Sequence, residues 1–195
     1  MPLYNFVVLL LFTILGLAMI LLFISGGIRH RKNPGAPVRV LGKPSIHPFF
    51  FYSSKIAFGL VLMLFLLKAL MPGIGWVRVP YEMSWAGAFV MLAAVFFFIR
   101  AFIDLGPALL VGLPDFPTEL RTHGIYALTR NPIYLAVYFF CLAACLYFPE
   151  PSTIALSIYV IYFHHRIILA EEKFLEERFG EKWLAYCKKV HRYLF

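Results

Sequence analysis

Long apolar runs alternate with short polar segments marked by proline and glycine. The apolar runs cover residues 3–25, 49–71, 83–104, 133–149 and 151–169. A helix needs about 20 apolar residues to cross the hydrocarbon of a bilayer, so the pattern predicts five spans. Residues 1–25 have no basic n-region and no A-x-A site, so the run is read as a span and not as a signal peptide. Only Pro149-Glu150-Pro151 separates the last two runs, which predicts a tight antiparallel hairpin. Beyond it, residues 170–190 place Phe174, Leu175, Phe179, Trp183 and Tyr186 at helical spacing. That spacing predicts an amphipathic helix lying on the headgroups or packing under the bundle. The expected fold class is all-α: an integral membrane bundle of five transmembrane helices with a cytosolic amphipathic C-terminal helix.

Composition agrees with this class. Of the 195 residues, 62% are hydrophobic and 14% charged, which is the balance of an integral membrane protein and not of a soluble core. Fourteen of the eighteen Lys and Arg residues fall in 26–48, 105–131 and the tail from 166, whereas the opposite side carries Arg78 alone. The positive-inside rule then puts the N-terminus outside and the C-terminus in the cytosol. The net charge of +8 is mainly a topology signal, with contact to anionic membrane lipids a secondary effect. The basic residues are not interleaved on one soluble face, so no nucleic-acid partner is expected. Cys141, Cys145 and Cys187 form no disulfide or zinc pattern. His164 and His165 have no ligand spacing to a further strong ligand, and no metal is expected.

The polar chemistry concentrates in Thr122-His123-Gly124-Ile125-Tyr126-Ala127-Leu128-Thr129-Arg130-Asn131-Pro132-Ile133-Tyr134 and, about forty residues later, in Glu171-Glu172. Both segments fall at the cytosolic ends of the hairpin partners, so they are expected to be neighbours. Pro132 suits the first turn of a helix, with Asn131 at the N-cap. The free N–H groups there favour an anionic ligand group, and Arg130 adds charge at the same place. Tyr126 and Tyr134 offer ring faces and hydroxyls. Read alone, the same residues are equally a plain helix start with interfacial tyrosines. Glu171 and Glu172 point about 100° apart on a helix, so one can face the bundle while the other faces water; read alone, the pair is more simply a solvated acidic start to the tail helix, with Glu176, Glu177 and Glu181 nearby. Asp104 reads as a boundary charge, and Lys55 and Lys68 as long stems that snorkel near the ends of the second span.

The pattern Gly124-x-Tyr126-x-x-x-Arg130-Asn131-Pro132-x-Tyr134, one hydrophobic hairpin, then Glu171-Glu172-x-x-Leu175-x-x-x-Phe179-Gly180, resembles the isoprenylcysteine carboxyl methyltransferase family and its phospholipid methyltransferase relatives. The resemblance covers roughly residues 104–193. It implies a membrane enzyme that uses S-adenosylmethionine, with three spans in 1–104 and the cofactor-binding catalytic part in 105–195 of a single membrane domain. Carried over position by position, it implies cofactor contacts at Thr118, Glu119, Leu120, Arg121, Tyr126, Asn131, Pro132, Ile133, Tyr134 and Glu171, with His123, Arg130 and Glu172 as neighbouring candidates; since the family uses one acid of the pair, Glu171 is expected to face the bundle and Glu172 to be mainly exposed at the boundary. Asn131 stands where the family usually has His; it keeps a donor and an acceptor but cannot titrate. Arg166 is the candidate for holding the acceptor's carboxylate, with Glu171 as its catalytic companion. It lies five residues before Glu171, one more than in the family pattern, a rotation of about 100° on a helix.

The implied function is methyl transfer to a lipophilic or lipidated acceptor, most simply the carboxylate of an isoprenylcysteine-like substrate. A carboxylate needs no general base, whereas an ammonium acceptor must first lose a proton. The other readings are a phospholipid N-methyltransferase, an NADPH-dependent membrane reductase, suggested by a similar Arg-x-Pro-x-Tyr ending, and a non-catalytic small membrane protein.

Overall fold

The computed structural model describes residues 2–32, 42–105, 112–113 and 119–194, with the side chains of the first helix described as far as Leu21. The described residues form six α-helices: α1 Leu3–Lys32, α2 Pro48–Leu70, α3 Tyr81–Leu105, α4 Pro132–Tyr147, α5 Pro151–Phe179 and α6 Glu181–Cys187. A 3-10 turn, Gly124–Ala127, precedes α4. An isolated antiparallel bridge joins Lys43 to Leu113. Proline opens α2, α4 and α5, where its missing N–H leaves no hydrogen bond unmade.

The helices run up and down. At one end, the Tyr4 ring meets those of Tyr81, Trp85 and Tyr147 at 5.7–6.3 Å. Antiparallel α3 and α4 pack through small residues, with Gly87, Ala88 and Ala94 facing the bundle beside Ala136, Ala143 and Ala144. A Cβ at Gly87 would stand 3.1 Å from the Ala143 carbonyl oxygen. Small side chains allow such close approach, the usual basis of helix association in lipid. α2 lies antiparallel to α5, with Phe50 stacked on Phe163 at 4.6 Å and Ser53 Oγ 2.7 Å from Tyr159 Oη. Val8, Val61, Phe65, Met91, Phe140 and Val160 fill the centre. Leu10, Ile56, Phe89, Leu92, Phe96 and Ile158 are exposed on the outside, as suits a lipid-facing surface.

Four of the helices, α1, α2, α3 and α5, are long and apolar enough to cross a membrane. This is the architecture of an all-helical multi-pass membrane protein. The fourth expected span differs. α4 has 16 residues and at 1.5 Å per residue covers only about 24 Å, because it ends at Tyr147, just before Phe148-Pro149. Glu150 at the following turn is buried, and its Oε1 accepts hydrogen bonds from Trp76 N (2.6 Å) and Val77 N (2.9 Å), pinning the loop between α2 and α3.

The tail also departs from the expected single helix over 170–190. α5 continues through Phe179, and Gly180 then turns the chain with φ +52°, a left-handed value that favours glycine. The short α6 folds back, and Trp183, Tyr186 and Val190 pack against Leu120, Leu175 and Phe179.

Candidate functional site

The end of the bundle opposite Tyr4 is built from the motif segment and the tail. Asp104, at the end of α3, shapes the 3-10 turn. Its Oδ2 accepts from Ile125 N at 2.7 Å, and Arg100 Nη2 donates to its Oδ1 at 2.9 Å. Gly124 has φ +64°, and a Cβ there would lie 2.3 Å from Asp104 Oδ2. Only glycine lets the turn sit against the carboxylate. Asp104 is thus a structural partner of the motif and not merely a boundary charge.

Asn131 occupies the N-cap of α4, but its side chain makes no capping bond. Its Nδ2 donates to Glu172 Oε1 at 2.8 Å. The same carboxylate accepts from Arg130 Nε (3.2 Å) and from Arg192 Nε and Nη2 (2.9 and 2.8 Å). Arg130 also donates to the Val190 carbonyl at 3.0 Å and stacks over Trp183 at 5.6 Å. Tyr186 Oη donates to the Tyr126 carbonyl at 2.5 Å. The charge-assisted bonds of Glu172 and Arg130 are the stronger class, and together with the Tyr186 bond they stitch the tail to the motif segment. The bonded Glu172 carboxylate holds Arg192 above its ordinary pKa. Burial raises the phenols of Tyr126 and Tyr186, so both stay neutral hydroxyls.

The expectation that Glu172 is mainly exposed is corrected here. Glu172 is 8% exposed, because two arginines and an asparagine replace its water. Glu171 points elsewhere, as the helical offset requires. It lines a cavity of about 350 Å³ together with Tyr134, whose Oη donates to both carboxylate oxygens at 2.9 Å.

Of the residues expected in the site, Glu119, Leu120, Arg121, Tyr126, Arg130, Asn131, Pro132, Ile133, Tyr134 and Glu171 line this cavity. His123 and Arg166 are exposed and Glu172 is buried, and none of the three is part of the lining. Thr118 lies outside the described residues. The cavity also takes Lys55 and Phe58 from α2, Phe98 and Phe102 from α3, His164 from α5, and Trp183 and Tyr186 from α6. Reading the sequence for spans hid the first five of these among apolar runs, and the tail aromatics read as a membrane-facing stripe. The cue for Lys55 was a charge within the apolar run 49–71, read there as a stem that snorkels.

His164 is 3% exposed. Its Nδ1 lies 2.9 Å from the Val160 carbonyl, which can only accept, so Nδ1 carries the proton. The other nitrogen of the neutral ring is then an acceptor. Among the described residues no three His, Cys, Asp or Glu side chains gather as metal ligands.

A family model described as phospholipid methyltransferase matches residues 83–182, just over half of the chain. The chain belongs to the phospholipid methyltransferase family. Two curated relatives, from Oryza sativa subsp. indica and subsp. japonica, are each named "Probable protein-S-isoprenylcysteine O-methyltransferase". Each is 34% identical over 74 residues, which is 37% of this chain and 39% of the relative. The chain therefore spans well under half the length of the curated relatives it matches. No solved structure matches it. In this family member the matched stretch contains the 3-10 turn, the α4 start and the acidic pair, whereas Lys55, Phe58, Trp183 and Tyr186 lie outside it.

Proposed function

We propose that the chain is an S-adenosylmethionine-dependent methyltransferase acting on a lipophilic acceptor, with a carboxylate of an isoprenylcysteine-like molecule as the acceptor group. One observation carries the reading: a single cavity gathers Tyr126, the Arg130–Tyr134 run and Glu171, and continues between phenylalanines. Its volume, about 350 Å³, falls within the range of small-molecule sites, roughly 300–1,000 Å³. The donor set suits the amphipathic cofactor. Trp183, Tyr186 and Tyr126 offer rings to an adenine, Arg121 offers a cation to a carboxylate, and Glu171 offers an anion to an ammonium or a sulfonium.

The bound cofactor would supply an activated methyl group. The protein's work is alignment and exclusion of water, and proximity of this kind is worth roughly 7–11 kcal/mol. Glu171, fixed by Tyr134, holds a negative charge at the cavity wall. Phe58, Phe98 and Phe102 keep the acceptor side dry. The Glu172 cluster sets the positions of Arg130 and Asn131 and so of the α4 start. In this reading the apolar α4 is a fifth crossing, the N-terminus lies outside, and the tail and cavity mouth face the cytosol. The stretch 105–195 supplies most of the cofactor side, and 1–104 most of the acceptor side.

His164 favours a second reading, phospholipid N-methylation, because a neutral imidazole acceptor in the cavity could take a proton from an ammonium. Titration of purified protein with S-adenosylhomocysteine and with NADPH tests the cofactor. Saturable binding of the first alone is expected, and binding of NADPH alone would replace the proposal with a reductase. Transfer of labelled methyl into a lipid extract separates the acceptors. A methyl ester releases its label as methanol in mild base, whereas an N-methyl product keeps it.

A further inference from the structure

We infer that Lys55 selects the methyl acceptor: its ammonium, at the cavity wall on α2, holds the acceptor's carboxylate while the acceptor's hydrocarbon chain lies along Phe58, Phe98 and Phe102. This rests on the methyltransferase reading and adds to it the group that recognises the acceptor.

Lys55 is the eighth residue of α2, about 10 Å along the helix from its start at 1.5 Å per residue. An ammonium at that depth is costly unless it faces a cavity or a partner. Lys55 is half-buried and lines the cavity, with Nζ 4.1 Å from the centroid of the Phe51 ring. Among the described residues it makes no hydrogen bond and no close ion pair, and the opposite charge that acts on it is the Glu171 carboxylate of the same cavity. The other cations at this end are differently placed. Arg130 is engaged by Glu172 and by the Cys187 and Val190 carbonyls. Arg121 sits 3.7 Å from Glu119. Arg166 is exposed on α5 and outside the cavity lining. The carboxylate of Glu171 shares the cavity with Lys55 but is bonded to the Tyr134 hydroxyl.

The surroundings fix the rest of the acceptor's chemistry. Phe58 lies one turn after Lys55 on α2, and the Phe98 and Phe102 rings, 4.4 Å apart on α3, line the same cavity. A cation beside an aromatic wall fits an anionic head on an apolar chain and repels an ammonium head. The carboxylate oxygen forms the new O–CH3 bond as the S–CH3 bond breaks, and the electron pair stays on sulfur. The carboxylate and sulfonium charges cancel, and no proton moves.

The test is equilibrium binding, in one detergent, of N-acetyl-S-farnesylcysteine and of its methyl ester. The parent is expected to bind the acid at least tenfold more tightly than the ester. Lys55→Gln, or Lys55→Met if the first variant does not fold, should bind the two within twofold of each other. Lys55→Arg and Arg166→Gln should keep the preference. A parent without preference, or a Lys55→Gln protein that keeps it, overturns the inference. If Lys55 only balances Glu171, Lys55→Gln weakens S-adenosylhomocysteine binding and leaves the acid-to-ester ratio unchanged, which also overturns it. A parent that binds no S-adenosylhomocysteine removes the methyltransferase reading, while the acid-to-ester ratio still decides the role of Lys55.

Discussion

Tyr134 Oη lies 2.9 Å from both carboxylate oxygens of Glu171, a bond between the first turn of α4 and the inner part of α5. The pair fixes one polar wall of the cavity. Glu171→Gln removes the charge at nearly constant volume. S-adenosylhomocysteine binding, measured by calorimetry, should weaken by about ten- to a hundredfold, since a hydrogen bond to a charged group is worth roughly 1.5–3 kcal/mol. Tyr134→Phe should weaken it less, because the charge remains. Affinities within twofold of the parent for both variants would take Glu171 out of the cofactor site.

Glu172→Gln should act on stability first. Its carboxylate is 8% exposed and accepts from Arg130, Asn131 and Arg192. Removing one partner of a buried pair costs on the order of 3–5 kcal/mol. The melting temperature should fall further than for Glu171→Gln, and limited proteolysis should cut the tail beyond Gly180 earlier. A variant that melts with the parent and resists protease equally would show that the cluster does not hold the tail.

The orientation is testable at two exposed residues. Gly73 lies between α2 and α3, and Lys182 lies on α6. In a background without Cys141, Cys145 and Cys187, Gly73→Cys should react with an impermeant maleimide in intact cells, and Lys182→Cys only after lysis. The reverse pattern would invert the topology.

Much of this arrangement was legible in the apolar periodicity and the proline positions. Pro132 marks where α4 begins and Pro149-Glu150-Pro151 where the hairpin turns into α5, and Asn131 does stand at the N-cap. The acidic pair was legible as two residues with different faces, but not which of them would be enclosed by protein. That depends on Arg192, twenty residues further on, which the sequence offered only as one more basic residue of the tail. The end of α5 was misplaced because Phe174, Leu175 and Phe179 continue the helical spacing without a break in hydropathy. Gly180 alone marks the turn. Phe58, Phe98 and Phe102 were illegible as site residues because convergence of α2 and α3 on one cavity is a tertiary fact with no local signature, and Lys55, though a charge within an apolar run, read as a snorkelling stem.

The Asp104–Gly124 approach makes the sharpest structural prediction. Gly124 has φ +64°, and an added Cβ would stand 2.3 Å from Asp104 Oδ2. Gly124→Ala therefore has to strain the left-handed residue, at about 1–3 kcal/mol, and to push away the carboxylate that accepts from Ile125 N at 2.7 Å. The displacement should propagate. Tyr126 follows Ile125 in the 3-10 turn, its carbonyl takes the Tyr186 hydroxyl at 2.5 Å, and Tyr126 and Tyr186 both line the cavity. The expected outcome is a lower melting temperature together with S-adenosylhomocysteine binding weakened at least fivefold. Asp104→Asn keeps an acceptor oxygen for Ile125 and adds no atom to the contact, so it should lose less on both measures. If Gly124→Ala matches the parent in melting temperature and affinity, the close approach does not control the turn. If Asp104→Asn is the worse variant, the charge pair with Arg100, 2.9 Å away, matters more than the fit of the glycine.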